Sequence, residues 1–518
     1  MKINISLIIL LIPLQFFAQN SFTFSGTVKD SNGEAIPTAY VVLDTDKKYA
    51  VTDADGKFTI TDVKKGTYSL EISFLGYETF SQSIEINSDT NLEATLAENA
   101  ELLEGVTVVS QTEATQKNTQ PITINSLDFK ELKSQALGVE NVIKQSTGVV
   151  VRQSGGLGST LNINLNGLTG AAVRQYYDGM PLELYAGSLQ LNFIPVDVLD
   201  RVDVYKGILP VDIGTDALGG GFNLVPLKRS EDYLRASYSI GSFNTHRFTL
   251  SGNYNFNDKI SFSAVSFVNY SDNDFEMKNI TNIAENLRPD GTVESVTEEV
   301  IDVRRFHDAF RSSYFEGALS FRDLGVFADF LKVSATYSTR FNEVQQGAFF
   351  TGLAVGEAER EGTVYVQRIK YEKSFFKDRV NLSYSGLFTQ SEDIVRDSTN
   401  NFYNWTGQLV TLNRNGAELS PFPTARVGDN KGNAHRVTLN VNITDNIKFI
   451  ASNFYSKTTI EGNDPLGIRI NIGDNTDLDP NTIPSVLTSN VLGGEINAAF
   501  FDKKLTTIAF FKNYRYDA

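Results

Sequence analysis

GVENVIKQSTGVVVRQSGGLGSTLNINLNGLTGAAVRQYYDGMPLELYAGSLQLNFIPVDVLDRVDVYKGILPVDIGTDALGGGFNLVPL, residues 138–227, is the stretch whose reading decides the fold. Short β-branched runs (Val149–Val151, Leu161–Leu165, Val202–Tyr205, Phe222–Val225) alternate in it with Gly-rich turns. That pattern predicts a folded α+β unit. Just before it, Ser126–Val149 reads as two short helices, SLDFKELKS and GVENVIKQSTG.

On the C-terminal side, from Lys228, the pattern changes to long alternating strands. Leu234, Ala236, Tyr238 and Ile240 share one face, and Arg235, Ser237 and Ser239 share the other. The same period holds for Phe248–Phe256, Leu331–Phe341, Val380–Phe388 and Val437–Ile443. Apolar-out, polar-in strands of about 10 residues mark a transmembrane β-barrel, although a soluble sheet with one wet face also alternates. The connections favour the barrel. Asn257-Asp258-Lys259, Lys377-Asp378, Thr444-Asp445-Asn446 and Asp502-Lys503 are tight, whereas Ser271–Arg311, Ser391–Gly432 and Lys457–Ser489 read as long polar loops. Roughly a dozen strands of about 10 residues fit after Leu227, which suits either an incomplete larger barrel or a smaller complete one.

On the N-terminal side, residues 1–19 read as a secretory signal peptide: Lys2 is the positive region, Ile3–Phe17 the apolar region and Ala18 the small residue. Residues 20–97 read as a β-sandwich of short alternating runs separated by Asp30-Ser-Asn-Gly33, Asp53-Ala-Asp-Gly56 and Lys65-Gly66. Asp53/Asp55/Gly56 is read as a hairpin turn rather than a calcium loop, because Lys64 holds the position where such a loop needs an acid. Residues 98–124 are a polar linker. Within it, Leu103, Glu104, Gly105, Val106, Thr107, Val108 and Val109 form a β-prone run that fits either an ordinary strand or one that adds to a partner's sheet edge.

The 518 residues carry a net charge of −16, which argues against nucleic acid as a partner. There is no Cys, and the three His stand far apart at 246, 307 and 435, so no thiolate, Cys-nucleophile or His-x-x-x-His metal chemistry is open. No P-loop, G-x-S-x-G or His-Glu-x-x-His occurs. The chain is therefore not expected to be an enzyme, and no cofactor or metal is expected. Asp474/Asp477/Asp479 is read as a solvated acidic loop.

The segments VENVIKQSTGVVVRQSGGLGSTLNINLNGL, YYDGMPLE, GSLQLNFIPVDVLDRVDVYKG and GTDALGGGFNLV, in that order and spacing, resemble the plug domain of TonB-dependent outer-membrane receptors. Residues 20–97 resemble the carboxypeptidase regulatory-like, prealbumin-like domain, which places the receptor in its Bacteroidetes type. The resemblance implies a mainly β chain: β-sandwich (20–97), linker with TonB box (98–124), α+β plug (125–227) and the N-terminal part of a transmembrane antiparallel β-barrel (228–518). It implies TonB, with its inner-membrane energising complex, as the partner that pairs with Leu103–Val109. It implies the outer membrane as the location and its lipid as a neighbour, with the sandwich and plug on the periplasmic side. It also implies ligand contacts at three plug apices: Asn166-Gly167, Glu183-Leu184-Tyr185 and Ile213-Gly214-Thr215. Two departures stand out. Asn166 replaces the family's usual Arg in INLNGL, and Asp212-Ile213-Gly214-Thr215 replaces its usual Leu-Tyr-Gly-Ser. The expected ligand is a scarce iron chelate, of siderophore or ferric citrate type. Glycan or peptide import with a surface lipoprotein, as in the SusC-like branch, is the alternative.

Overall fold

The structure is a computed structural model. It describes residues 21–517 except 32, 44–47, 75–76, 98–116, 119–122, 131–137, 186, 214–216, 346–351, 400, 412–415, 472–476 and 502–504. The expected signal peptide and the run Leu103–Val109 lie outside the described residues. The chain divides into two units, 1–111 and 112–518.

The first unit is a two-sheet β-sandwich, as expected. One sheet orders Lys57–Lys64, Ser21–Asp30 and Thr90–Leu96; the other orders Lys48–Val51, Tyr40–Leu43, Gly66–Ser73 and Phe80–Ile86. Alternation sends Phe24, Val28, Val41, Phe58, Leu70 and Ile72 into one core, each at most 3% exposed. The Asp53 carboxylate accepts hydrogen bonds from the backbone N–H groups of Asp55 (3.0 Å) and Lys57 (2.8 Å), and Gly56 sits at φ +72°. The turn chemistry expected for this stretch is therefore satisfied by the backbone.

In the second unit, the four β-branched runs of residues 138–227 become the strands Val149–Gln153, Leu161–Leu165, Leu199–Lys206 and Gly220–Pro226. A five-stranded mixed sheet orders Met180–Pro181, Val173–Tyr177, Gly220–Pro226, Leu199–Lys206 and Ile124–Asp128. The helix Val139–Ile143 forms where expected and buries Val139, Val142 and Ile143. The first expected helix does not form over its described start. Residues 124–128 are an edge strand, antiparallel to Leu199–Lys206. The reason is tertiary: the Ser126 hydroxyl donates to the fully buried Asp203 carboxylate at 2.6 Å, which Arg201 and Lys117 also reach at 3.1 Å. A local helical preference yields to that long-range pairing.

From Tyr233 the chain forms an eleven-stranded antiparallel sheet, each strand paired with the next, from Tyr233–Gly241 at one edge to Leu505–Asp517 at the other. Its strands run from 9 residues (Tyr233–Gly241) to 21 (Thr424–Thr444), longer than expected. The long connections are correspondingly shorter and more structured than the sequence suggested. Ser271–Arg311 holds a hairpin of Glu276–Leu287 and Val293–Arg304. The strands Val380–Asp397 and Thr424–Thr444 narrow the next connection to 398–423, and Ile447–Asn463 and Ser485–Phe500 narrow the last to 464–484. Paired backbone, not apolar alternation, carries these strands past the apolar band, so hydropathy could not find their ends.

The wall presents its apolar residues outward. Leu234, Tyr238 and Ile240 are 80%, 62% and 71% exposed, while the inward Thr249, Ser251, Ser334 and Ser338 are buried. Phe256, Phe327, Phe376 and Phe501 stand exposed at four of the five short turns on one end of the wall, the arrangement of an aromatic girdle at a membrane interface. Among the described residues no helix is long and apolar enough to cross a membrane. The inward face closes on the α+β unit. Phe267, Tyr314, Val364, Leu387, Phe454 and Val491, all from the wall, share one core with Val202 and Val204.

Candidate functional site

The α+β unit is held to the wall by polar contacts at two levels. At the end with long connections, Asn273 brackets Leu157: its Oδ1 accepts from Leu157 N (2.9 Å) and its Nδ2 donates to Leu157 O (2.8 Å). The rings of Phe193 and Phe310 pack 4.8 Å apart beside it. Arg340 Nη1 donates to Gly187 O at 3.1 Å and Ser338 Oγ to Ser188 O at 3.1 Å.

The second level is the turn Asp178-Gly179, which joins Val173–Tyr177 to Met180–Pro181. Both residues have positive φ (+47° and +78°), as a two-residue Asp-Gly hairpin turn requires. The turn is gripped from the wall on both sides. Arg368 Nη2 donates to the Asp178 carbonyl (2.7 Å) and lies 2.9 Å from its carboxylate. Lys370 Nζ reaches the same carboxylate at 3.2 Å. Arg436 donates to Gly179 O and, at 2.9 Å, to Ile213 O, with its guanidinium over the Phe454 ring. A Cβ at position 179 would stand 3.2 Å from the Arg436 guanidinium, so the close approach, like the φ, favours glycine. Burial alone would raise the Asp178 carboxyl. The Arg368 and Lys370 charges outweigh it and hold the group well below the usual carboxylate range, so the clamp is ionic across the neutral range. Farther along, Arg235 pairs with Asp197 at 3.1 Å.

The expected apices are placed as follows. Asn166, at φ +52°, and Gly167 lie exposed in the turn after Leu161–Leu165; Asn166 N donates to Gly148 O, and Gly167 N to Asn164 Oδ1. Glu183 is exposed and pairs with Arg174 at 2.7 Å. Leu184 is half-buried, while Tyr185 is 2% exposed and packs edge-on to Tyr177. Burial pushes both of these hydroxyls well above the usual range, so they stay neutral. Ile213 is buried with Tyr176, Tyr205 and Leu209; Gly214 and Thr215 lie outside the described residues. Of the expected contact residues, Asn166, Gly167 and Glu183 are exposed, whereas Tyr185 and Ile213 are packed inward.

Sequence reasoning did not single out Arg340, Arg368, Lys370 or Arg436. The one local signal for them is the alternation itself. Val364, Val366, Arg368 and Lys370 occupy the same, inward register of Glu359–Phe375, so that face passes from apolar to basic.

A cavity of about 420 Å³ adjoins the clamp between the α+β unit and the wall. It lies toward the short-turn end, lined by Arg322 and Phe330 from that end and by Asp178 from the turn. At the opposite end the long connections are tied together. The Glu418 carboxylate, raised by burial, accepts from the N–H groups of Gly356, Glu357 and Ala358 at 2.7–2.8 Å. Among the described residues no group of His, Cys, Asp and Glu could hold a metal ion.

Comparison with known proteins matches two stretches of the chain to domain families and its fold to solved structures. Residues 24–108 match the CarboxypepD_reg-like domain, and residues 114–221 match the TonB-dependent receptor plug domain. The vitamin B12 transporter BtuB of Vibrio vulnificus is 33% identical over 93 residues, 18% of this chain and 15% of that protein. The vitamin B12 transporter BtuB of Vibrio cholerae serotype O1 is 26% identical over 120 residues, 23% of this chain and 20% of that protein. Among solved structures, the ferric enterobactin receptor PfeA of Pseudomonas aeruginosa superposes with a TM-score of 0.54 at 12% identity, covering 77% of this chain and 58% of that one. The copper transporter OprC gives 0.53 at 13% identity, covering 77% and 55%. This chain thus spans little more than half the length of these solved chains and at most a fifth of the curated relatives.

Proposed function

The chain carries a TonB-dependent receptor plug domain and shares the plug-in-barrel fold, and from that premise we propose that it serves as an outer-membrane receptor for active uptake of a large, scarce ligand. The observation that carries the reading is the pairing of an apolar-out wall with an α+β unit clamped inside it. A passive pore has no use for such an obstruction. An outer membrane lacks its own ATP supply, so the energy comes from TonB in the inner membrane, through strand addition to Leu103–Val109. Main-chain pairing of that kind transmits force through backbone bonds. The first strand of the plug, Ile124–Asp128, is an edge strand, so a pull from its N-terminal side acts first on five pairs with Leu199–Lys206.

The ligand class we favour is an iron chelate of siderophore or ferric citrate type. A deletion strain should grow poorly under iron limitation when such a chelate is the iron source, and growth equal to the parent would overturn the iron reading. Coelution of a surface lipoprotein with the purified receptor would instead favour glycan or peptide import. Replacing Val106→Pro or Val108→Pro removes a backbone N–H from the expected TonB strand. Uptake should be abolished while ligand binding at the cell surface is kept. Loss of surface binding would place the energy-coupling segment elsewhere.

A further inference from the structure

The cavity beside the Asp178-Gly179 turn has an unusual charge balance for a chain of net charge −16. Its lining carries six cations, Lys228, Arg229, Arg322, Lys332, Arg368 and Lys370, against three carboxylates, Asp178, Glu316 and Glu372. The carboxylates are partly spoken for. Glu316 accepts from Tyr314 (2.6 Å) and pairs with Lys332 at 3.4 Å, and Asp178 lies between Arg368 and Lys370. The Arg368 side chain is 12% exposed, and its Nε has no hydrogen-bond partner among the described residues. A surplus of positive charge confined between low-dielectric walls concentrates anions. A planar guanidinium favours carboxylates, which it can hold through two N–H groups. A volume of about 420 Å³ falls in the range of small-molecule sites.

We propose that this cavity is a binding site for a polycarboxylate ligand on its way past the plug, and that the incoming carboxylate takes Arg368 and Lys370 from Asp178. The inference rests on the transport reading and deepens it by naming the charge class of the cargo. Exchange, rather than simple addition, follows from where the acid sits. Asp178 is carried on a two-residue turn and holds the same two cations that line the cavity. An anion that pairs with them removes one side of the clamp and leaves the turn on Arg436 alone. Occupation of the cavity therefore favours the state in which the plug can leave the wall, in proportion to the ligand's preference for that state.

The test uses the purified full chain in neutral detergent, with citrate as the probe and isothermal titration as the readout, so that it does not depend on transport. Asp178→Asn removes the competing carboxylate and should tighten citrate binding about tenfold, the worth of one charge-assisted contact. Lys332→Gln, which leaves the clamp in place, should weaken binding severalfold, while Lys431→Gln, outside the cavity, should leave it unchanged. Should Asp178→Asn loosen the plug and expose it to protease, Lys332→Gln against Lys431→Gln still decides. Citrate that does not bind, or binds equally to the Lys332→Gln variant and its control, overturns the proposal. A deletion strain that grows as well as its parent on chelated iron, with citrate binding by the purified chain intact, would sink the iron-uptake reading and leave the site standing.

Discussion

The sandwich and the wall are both antiparallel β with a strict period of two, yet they solve opposite problems. In Gly66–Ser73 of the sandwich, Tyr68, Leu70 and Ile72 are buried and the residues between them are exposed. In Tyr233–Gly241 of the wall, the apolar Leu234, Ala236, Tyr238 and Ile240 are the exposed ones, and Arg235 and Ser237 turn inward to Asp197. Alternation therefore reports that a sheet has two different sides. It does not say which side faces water. That is settled by what covers the polar face. In the sandwich it is solvent, and in the wall it is a second folded unit supplying carbonyls and carboxylates to Arg340, Arg368 and Arg436.

The sharpest way to separate the two is to attack each apolar face in its own solvent. Leu70 is fully buried, so Leu70→Ala deletes packed atoms from a close-packed core and should cost about 2–5 kcal/mol. Denaturant unfolding of the sandwich signal in the full chain measures it. Leu250 lies on the outer face, midway along Thr245–Asn255 and 37% exposed. Leu250→Arg should cost about 2–4 kcal/mol in vesicles if that face meets hydrocarbon. A cost below about 0.5 kcal/mol, ordinary for an exposed site in water, would break the comparison.

How far these differences were legible in the sequence follows from the range of the interactions. The sandwich, the four strands of residues 138–227 and the outward faces of the wall rest on side chains two residues apart, so their order was readable. Ser126 was read into a helix because its partner, Asp203, is 77 residues away. The clamp escaped for the same reason: Arg368 and Asp178 are 190 residues apart, and neither stands in a motif that names the other. Resemblance placed three apices by order along the chain, but it could not foresee that Tyr185 and Ile213 would be packed inward while Asn166 and Glu183 stay open. Packing depends on the neighbour across the gap, which a single strand does not encode.

The connections of the wall extend the comparison to its rim, which should respond to bulk pH as the apolar band does not. Asp308 precedes the strand Phe310–Arg322, with Arg305 Nε 3.2 Å away. Burial pushes its carboxyl up to about 7 despite that positive neighbour. A carboxyl raised on folding contributes stability that is present below its unfolded value and lost as pH rises through the folded one. This group should therefore make the protein more stable at pH 5 than at pH 8. In Asp308→Asn that difference should shrink, read as the unfolding midpoint at the two pH values. An unchanged difference would assign the pH response to another group.

The smallest effect is expected where the sandwich offers an apolar residue to water. Tyr49 is 69% exposed in the edge strand Lys48–Val51, opposite Val42. It resembles Leu250 in being an outward apolar residue on an alternating strand, and differs only in what lies beyond it. Tyr49→Arg should change stability by no more than about 0.5 kcal/mol, and a positive charge on an exposed edge also guards against edge-to-edge pairing. The same denaturant series that reports Leu70→Ala would record it. If Tyr49→Arg cost as much as Leu250→Arg, the face around Tyr49 would have to be covered in the working protein. Exposure would then have opposite meanings on two faces of the sandwich itself, and the rule drawn from the wall would need a partner surface to explain it.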